Sequence, residues 1–284
     1  MSFSEKLTFV VFTFNEAARI ERVIRNFSAW GRVLIVDNHS TDATQEIATR
    51  LGAEVFLNKN NGWVEDEETV ARLKGRVETP WIYWAFADEL VDYDTLAAIV
   101  NAVEVGKYDI VNVIRKNYYY GHFCYEAYAD RMNRVFKKDA LDFSGNTIHN
   151  FGKVLVEEGR ILSLESKKYY VRHFISNTAK QYLGTIDRYT DIQAVTNRPC
   201  GLMNLTARIA KGFLVQYIFN GAYKAGKAGF FLVMQMLYYQ CILAMKTYEF
   251  RNSLNGDRIE ELNNVERDAV LLSLEKNIYE GGRH

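Results

Sequence analysis

The stretch Leu7-Thr-Phe-Val-Val-Phe12 is apolar, β-branched and aromatic, and it gives way at once to Thr13, Asn15 and Glu16. Such a run reads as a buried strand. Val33-Leu-Ile-Val36 repeats the pattern and ends in Asp37-Asn38-His39-Ser40. Between the two, Ile20, Val23, Ile24 and Phe27 recur at helical spacing, so the unit is strand, helix, strand. Two parallel strands joined by a helix commit the chain to an open α/β sheet, which binds ligands at the carboxyl ends of its strands. The polar clusters at those ends are therefore candidate site residues.

The alternation continues. Thr41 to Leu51 reads as a helix capped by Ser40 or Thr41, Ala53 to Leu57 as a strand, and Glu65 to Val77 as a polar helix. Pro80 to Phe86 is a further strand, ending in Ala87-Asp88-Glu89; Tyr93 to Val105 is a helix and Tyr108 to Val113 a strand. The pattern predicts a doubly wound, Rossmann-like α/β sheet. A dinucleotide site is excluded, because Thr-Phe-Asn-Glu-Ala-Ala stands where a glycine-rich turn is needed. Gly221-Ala-Tyr-Lys-Ala-Gly226-Lys227 imitates a phosphate loop, but Ala228 supplies no hydroxyl for magnesium and no strand precedes it.

With 35 basic and 35 acidic side chains in 284 residues, there is no electrostatic case for a nucleic-acid partner. Three cysteines without metal or redox spacing fit free thiols in a reducing compartment. The first strand begins too near Met1 for a signal peptide, so a cytoplasmic location is expected. Asp37 can accept from a base N–H or a ribose hydroxyl, and Asp88 can hold a divalent cation on a diphosphate. The competing reading is that Asp37 and Asp42 only cap the next helix.

The chain resembles glycosyltransferase family 2, of the GT-A fold, and within it the lipopolysaccharide-core and polysaccharide glucosyltransferase-like group. The resemblance is carried by Phe14-Asn15-Glu16, by Val36-Asp37-Asn38-His39-Ser40-Thr41-Asp42-Ala43-Thr44, and by Ala87-Asp88-Glu89. Asp130-Arg-Met-Asn-Arg134-Val-Phe136, Ile148-His149 and Tyr169-Tyr-Val-Arg-His173 add looser matches. It implies an inverting sugar transfer from a nucleotide sugar, with a UDP-sugar favoured, to a glycan or lipid-linked acceptor in bacterial cell-surface polysaccharide or lipopolysaccharide synthesis. Thr13, Asn15, Glu16, Asp37, Asn38 and Ser40 would then line the nucleotide-sugar pocket, and Asp88 would face the diphosphate. Mg or Mn would be held by Asp88 with Glu89 or His173, since Phe86 stands where the family usually has an acid. Asp130 is the first candidate base and His149 the second; Arg134 would pair with a phosphate or with an acid at the core edge. A member that binds sugar nucleotide as a scaffold without turnover is the alternative.

Lys116 to Tyr125 is an aromatic stretch, read either as a sugar-stacking wall or as packing on the sheet edge. The last part changes character. Ala228 to Met245 carries no charge, and lysines flank it. We expect a GT-A domain over 1–206 and a helical C-terminal region over 207–284. That region reads as a membrane-surface pair, a dimer-forming hairpin or a single span. The first of these would put the chain at the inner face of the plasma membrane.

Overall fold

The computed structural model describes residues 3–59, 67–146 and 151–281. Strand β1 (Ser4–Thr13) leads through α1 (Ile20–Phe27), β2 (Gly31–Asp37), α2 (Thr44–Arg50), β3 (Glu54–Leu57) and α3 (Glu67–Arg76) to β4 (Trp81–Phe86). A short β5 (Glu89–Val91), α4 (Tyr93–Val105), β6 (Ile110–Tyr119), β7 (His122–Phe123) and β8 (Asp130–Lys137) follow. Then come β9 (Leu141–Asp142), β10 (Lys153–Val154), β11 (Ile161–Ser163) and β12 (Tyr170–Ile175).

The main sheet runs β3-β2-β1-β4-β8-β6-β12-β5, with β7 and β11 also paired to β6. Its first four strands are parallel, and β8 is antiparallel to both β4 and β6, so the sheet is mixed. Only Ala87 and Asp88 separate β4 from β5, yet β5 pairs with β12 at the far limit of the order. From Phe86 to Glu89 the chain reaches at most about 11 Å, whereas four steps across a flat sheet cover about 19 Å. The sheet therefore curls, and the Ala87-Asp88 link lies where β12 returns toward the end of β4. That closure builds the site.

Alternate side chains of the central strands serve opposite faces. Phe9, Val11 and Tyr83 pack with α1 and α4, while Val10, Ile82 and Trp84 pack with α3 and with Phe136 and Phe143. Phe9 stacks on Phe27 with ring centroids 4.6 Å apart, each such burial being worth about 1.5–3 kcal/mol. Gly31 opens β2 because a Cβ there would lie 2.7 Å from the Leu7 carbonyl oxygen. Helix α4 starts on Asp92, whose carboxylate accepts from the Thr95 N–H at 2.8 Å, and stops at Gly106, with φ +71°. The strand expected over 108–113 is longer than its apolar run. β6 continues through the tyrosines and folds back as a hairpin with β7, because cross-strand aromatic pairs such as Tyr118–Phe123, 5.2 Å apart, supply the contacts.

The remaining chain forms α5 (Ala179–Thr196), α6 (Leu202–Phe213), a π-helical turn at 214–219, a 3₁₀ turn at 222–225, α7 (Gly226–Arg251) and α8 (Gly256–Gly281). Two compact units emerge, one of Met1–Thr178 with Gly212–Gln235, the other of Ala179–Lys211 with Met236–His284. The division expected at 206/207 thus gives way to one in which residues 212–235 belong with the sheet. Ala222, Leu232 and Val233 are fully buried there, and a Cβ on Gly229 would lie 1.9 Å from the Ala222 carbonyl oxygen. The phosphate-loop imitation has a backbone explanation, since Gly221 sits at φ +79° and Gly226 at φ +58°, ψ −134°. Residues 222–251 are, among those described, the one helical stretch long and apolar enough to cross a membrane. In the second unit, Tyr239 donates to Gln193 at 2.6 Å and Lys246 pairs with Asp187 and Asp191. The apolar side chains described on α8, Val265 and Leu272 among them, are exposed.

Candidate functional site

The loops that leave β1 and β2 are tied to each other. Asn15 adopts φ +57°, which an asparagine tolerates better than most residues. Its backbone N–H donates to the Ser40 hydroxyl at 2.8 Å, and its side-chain oxygen accepts from the Thr41 N–H at 2.8 Å. The Glu16 N–H donates to the Thr44 hydroxyl at 2.7 Å, and Ala17 N–H to Asp42 at 3.1 Å. Asp37 lies at the centre, fully buried. It accepts from the Thr13 hydroxyl at 2.8 Å, the Ser40 N–H at 2.8 Å, the Ser40 hydroxyl at 2.5 Å and the Gln45 amide at 2.8 Å.

A carboxylate offers about four acceptor positions, and these donors take all of them. Asp37 and Thr13, expected as direct nucleotide ligands, therefore organise the loop that would meet the ligand. Ser40 turns its hydroxyl to Asp37 instead of capping α2; that helix is capped by Asp42, whose carboxylate accepts from the Thr44 N–H at 3.0 Å, as the competing reading of Asp42 expects. Asn38 continues the ladder, its N–H donating to the Thr13 carbonyl at 2.9 Å. Asn15 stays exposed and Glu16 half-buried at the rim. Burial pushes the Glu16 carboxyl above its ordinary range, Asp88 and Asp42 adding to the rise and Arg19, bonded to it at 2.5 Å, opposing it.

The β4–β5 turn carries Asp88. Its backbone carbonyl accepts from the Phe174 N–H at 2.8 Å, and its carboxylate lies 3.2 Å from His173 Nε2. Burial alone would raise the Asp88 carboxyl, but His173, Arg115 and Arg19 outweigh it and hold the group below its usual range. Glu89, expected as a second metal ligand, is fully buried. It accepts from the equally buried Arg134 at 2.6 Å and from Arg115 at 3.4 Å. Glu89, the first residue of β5, turns into the core, while Asp88 in the turn before it keeps part of its side chain in solvent. Arg134 is thus consumed by that acid, its charge reinforced by Glu89, and it does not reach the surface as a phosphate ligand. Asp130, the first candidate base, opens β8 partly exposed, with both oxygens on Arg115 at 2.9 and 3.1 Å. His149, the second, lies outside the described residues.

Asp88 and His173 are what remains for a cation, and no three His, Cys, Asp or Glu side chains gather at one point among the described residues. The pair fits the chemistry. Neutral imidazole and carboxylate are competent donors, and magnesium uses one or two carboxylates plus substrate phosphates and water. Adjacent ligands on an octahedral ion with bonds near 2.1 Å stand roughly 3.0 Å apart, close to the 3.2 Å observed. Sequence reasoning missed Arg19, Arg115 and Asn117, whose amide oxygen meets His173 Nδ1 at 2.8 Å. Arg19 is within local reach, three residues after Glu16, with which it pairs; Arg115 and Asn117 are found only by asking which residues pair with Asp130 and His173 across the sheet. The aromatic stretch packs along the sheet, Tyr118 lying 5.2 Å from Phe123 of β7 and 4.8 Å from Phe174 of β12 between ring centroids.

The sequence matches the model of a family described as glycosyl transferase family 2 over residues 8–153. An uncharacterized glycosyltransferase of Rickettsia prowazekii (strain Madrid E) is 26% identical over 203 residues, which is 67% of each chain. Another from Rickettsia felis is 37% identical over 86 residues, 30% of this chain and 29% of that one. Among solved structures, a mannosyltransferase of Pyrobaculum calidifontis in complex with GDP-Man and Mn2+ is 15% identical, with 87% of each chain covered and a TM-score of 0.47.

Proposed function

The chain belongs to glycosyl transferase family 2, the glycosyltransferases of GT-A fold, and we propose that it moves a sugar from a nucleotide-sugar donor to a hydroxyl of a glycan or lipid-linked acceptor. The observation that carries this reading is the Asp88–His173 pair beside the two tied loops, at the carboxyl end of the parallel strands. Asp88 and His173 would hold a magnesium or manganese ion on the donor diphosphate, and that ion would neutralise charge on the leaving group. Arg19, between Glu16 and Ser176, adds a positive charge of the protein's own at this edge. The exposed Asn15 and Thr41 present polar groups for the nucleoside, with a UDP-sugar favoured. The transfer would invert the anomeric centre, with Asp130, oriented by Arg115, taking the acceptor's proton.

Work on a lipid-linked acceptor in cell-surface polysaccharide or lipopolysaccharide synthesis would place the chain at the inner face of the plasma membrane. Exposed Leu214, Ile218, Phe219 and Tyr223 beside Lys224 and Lys227 support that reading. Calorimetry with UDP, GDP and dTDP, with and without Mn2+, tests donor binding. Nucleoside diphosphate release on adding an acceptor extract tests turnover. Binding without release would make the chain a nucleotide-sugar scaffold, and no binding of any of the three would reject the reading. Co-sedimentation with anionic vesicles, reversed by salt, is expected; a soluble dimer indifferent to vesicles would refute the membrane assignment.

A further inference from the structure

We propose that Asn117 is a positioning residue that fixes the tautomer and ring plane of His173, so that Nε2 presents its lone pair beside Asp88. The inference deepens the reading of Asp88 and His173 as the cation pair and rests on it for its use in catalysis.

Asn117 sits in β6, nearly buried. Its amide nitrogen donates to two backbone carbonyls, Ala127 at 3.0 Å and Tyr128 at 2.9 Å. Carbonyl oxygens only accept, so both amide hydrogens are committed and the orientation of the amide is set by its surroundings. The oxygen must then face His173 Nδ1, 2.8 Å away, and that contact is a hydrogen bond only when Nδ1 carries the hydrogen. With Nδ1–H fixed, the 3.2 Å contact of Nε2 with the Asp88 carboxylate is a hydrogen bond only in the imidazolium; in the neutral ring, the form that binds a cation, the lone pair is left on Nε2 beside that carboxylate.

Left to Asp88 alone, the ring would take the other tautomer. A carboxylate attracts an N–H, so Nε2 would carry the hydrogen and its lone pair would be lost to a cation. Asn117 decides this competition from the opposite side of the ring. Ligand histidines ordinarily have their second nitrogen held in this way, and losing such a partner costs about ten- to a hundred-fold in metal affinity.

The carbonyls that orient Asn117 are themselves braced. They lie in a turn where Tyr125 and Tyr128 adopt φ +56° and +49°, conformations that bulky side chains rarely hold unaided. The Tyr128 N–H donates to the Gln216 side chain at 2.8 Å, and the Glu126 N–H to the Asn220 carbonyl at 3.0 Å. The Asn220 amide fixes Gln216 in turn at 2.9 Å. Residues 212–235 are thus joined to the sheet unit through the turn that sets Asn117.

The test is ring-nitrogen NMR on the uniformly ¹⁵N-labelled full chain without metal, at a pH where the ring is neutral, with the His173 signals assigned by their loss in His173→Gln. Nδ1 protonated and Nε2 unprotonated is the expected result; the reverse overturns the proposal. Asn117→Leu should move the hydrogen to Nε2 and weaken Mn2+ binding, followed by electron paramagnetic resonance, at least ten-fold. Asn117→Asp keeps the acceptor and loses both donors to the turn, so it should keep the Nδ1–H tautomer and Mn2+ affinity within about three-fold of the parent. If Asn117 only tied β6 to the turn, Asn117→Asp would behave like Asn117→Leu, and the proposal would fall. Should Asn117→Leu not fold, the parent and Asn117→Asp decide between the two. An Nδ1–H tautomer in a parent chain that binds no Mn2+ would uphold the role of Asn117 and reject the cation reading alone.

Discussion

Two polar clusters sit at the carboxyl ends of the same sheet and have opposite internal economies. At β1 and β2, Asp37 is fully buried and each of its acceptor positions meets a donor, from Thr13 of β1, Ser40 of its own loop or Gln45 of α2. At β4 and β5, Glu89 is buried on Arg134, but its neighbour Asp88 keeps part of its side chain in solvent and faces an imidazole nitrogen. The first cluster is a saturated scaffold, and the second divides structure and chemistry between adjacent residues. An acid at a strand end is therefore not yet a ligand. Its unused acceptor capacity decides.

The comparison breaks most visibly at Glu89. Glu89→Gln leaves Arg134 buried without its counter-charge and is expected to cost about 3–5 kcal/mol in urea unfolding; a loss below about 1 kcal/mol would show that the pair is dispensable. Asp37→Ala comes next, at about 1.5–3 kcal/mol for hydrogen bonds to a charged group, with nucleotide binding reduced only as far as the loops loosen. Unchanged stability together with abolished UDP binding would return Asp37 to the role of direct ligand. Asp88→Asn and His173→Ala should each alter stability by less than about 1 kcal/mol, while the Mn2+-dependent gain in UDP affinity falls by at least about ten-fold. Full turnover in EDTA would reject the cation site.

The smallest effect is a control away from both clusters. Asp109, bonded first to Arg160 and then to Lys137, has a carboxyl held down at about 2. A folded-state value below the unfolded one contributes stability above roughly pH 4 that disappears as pH falls toward 2. Asp109→Asn should therefore be less stable than the parent at pH 5, and the two should converge near pH 2. A gap that persists at pH 2 would point to geometry instead of charge.

How much of this is legible in the sequence follows from the range of each interaction. The alternation of strands and helices and the span of α4 come from period and capping, which are local. The motif pairs Asn15/Glu16 and Asp37/Ser40 identify the family because they stand at fixed spacing after apolar runs. The burial of Glu89 is not legible, because beside Asp88 in sequence nothing local says that one carboxylate turns into the core. The aromatic hairpin is not legible because β7, on which Tyr118 and Tyr119 pair, lies across a turn.

By itself, the chain's order of residues determined an α/β sheet with polar strand ends, a helical continuation and membership of its family. Tertiary structure alone decided which polar groups are saturated and which stay available. It also decided that Asn117 faces His173 across 56 positions of sequence and that residues 212–235 belong with the sheet. The reason is physical. Secondary structure is set by neighbours a few residues apart, whereas a carboxylate's role depends on donors brought to it by the curl of the sheet, and no spacing along the chain encodes that curl.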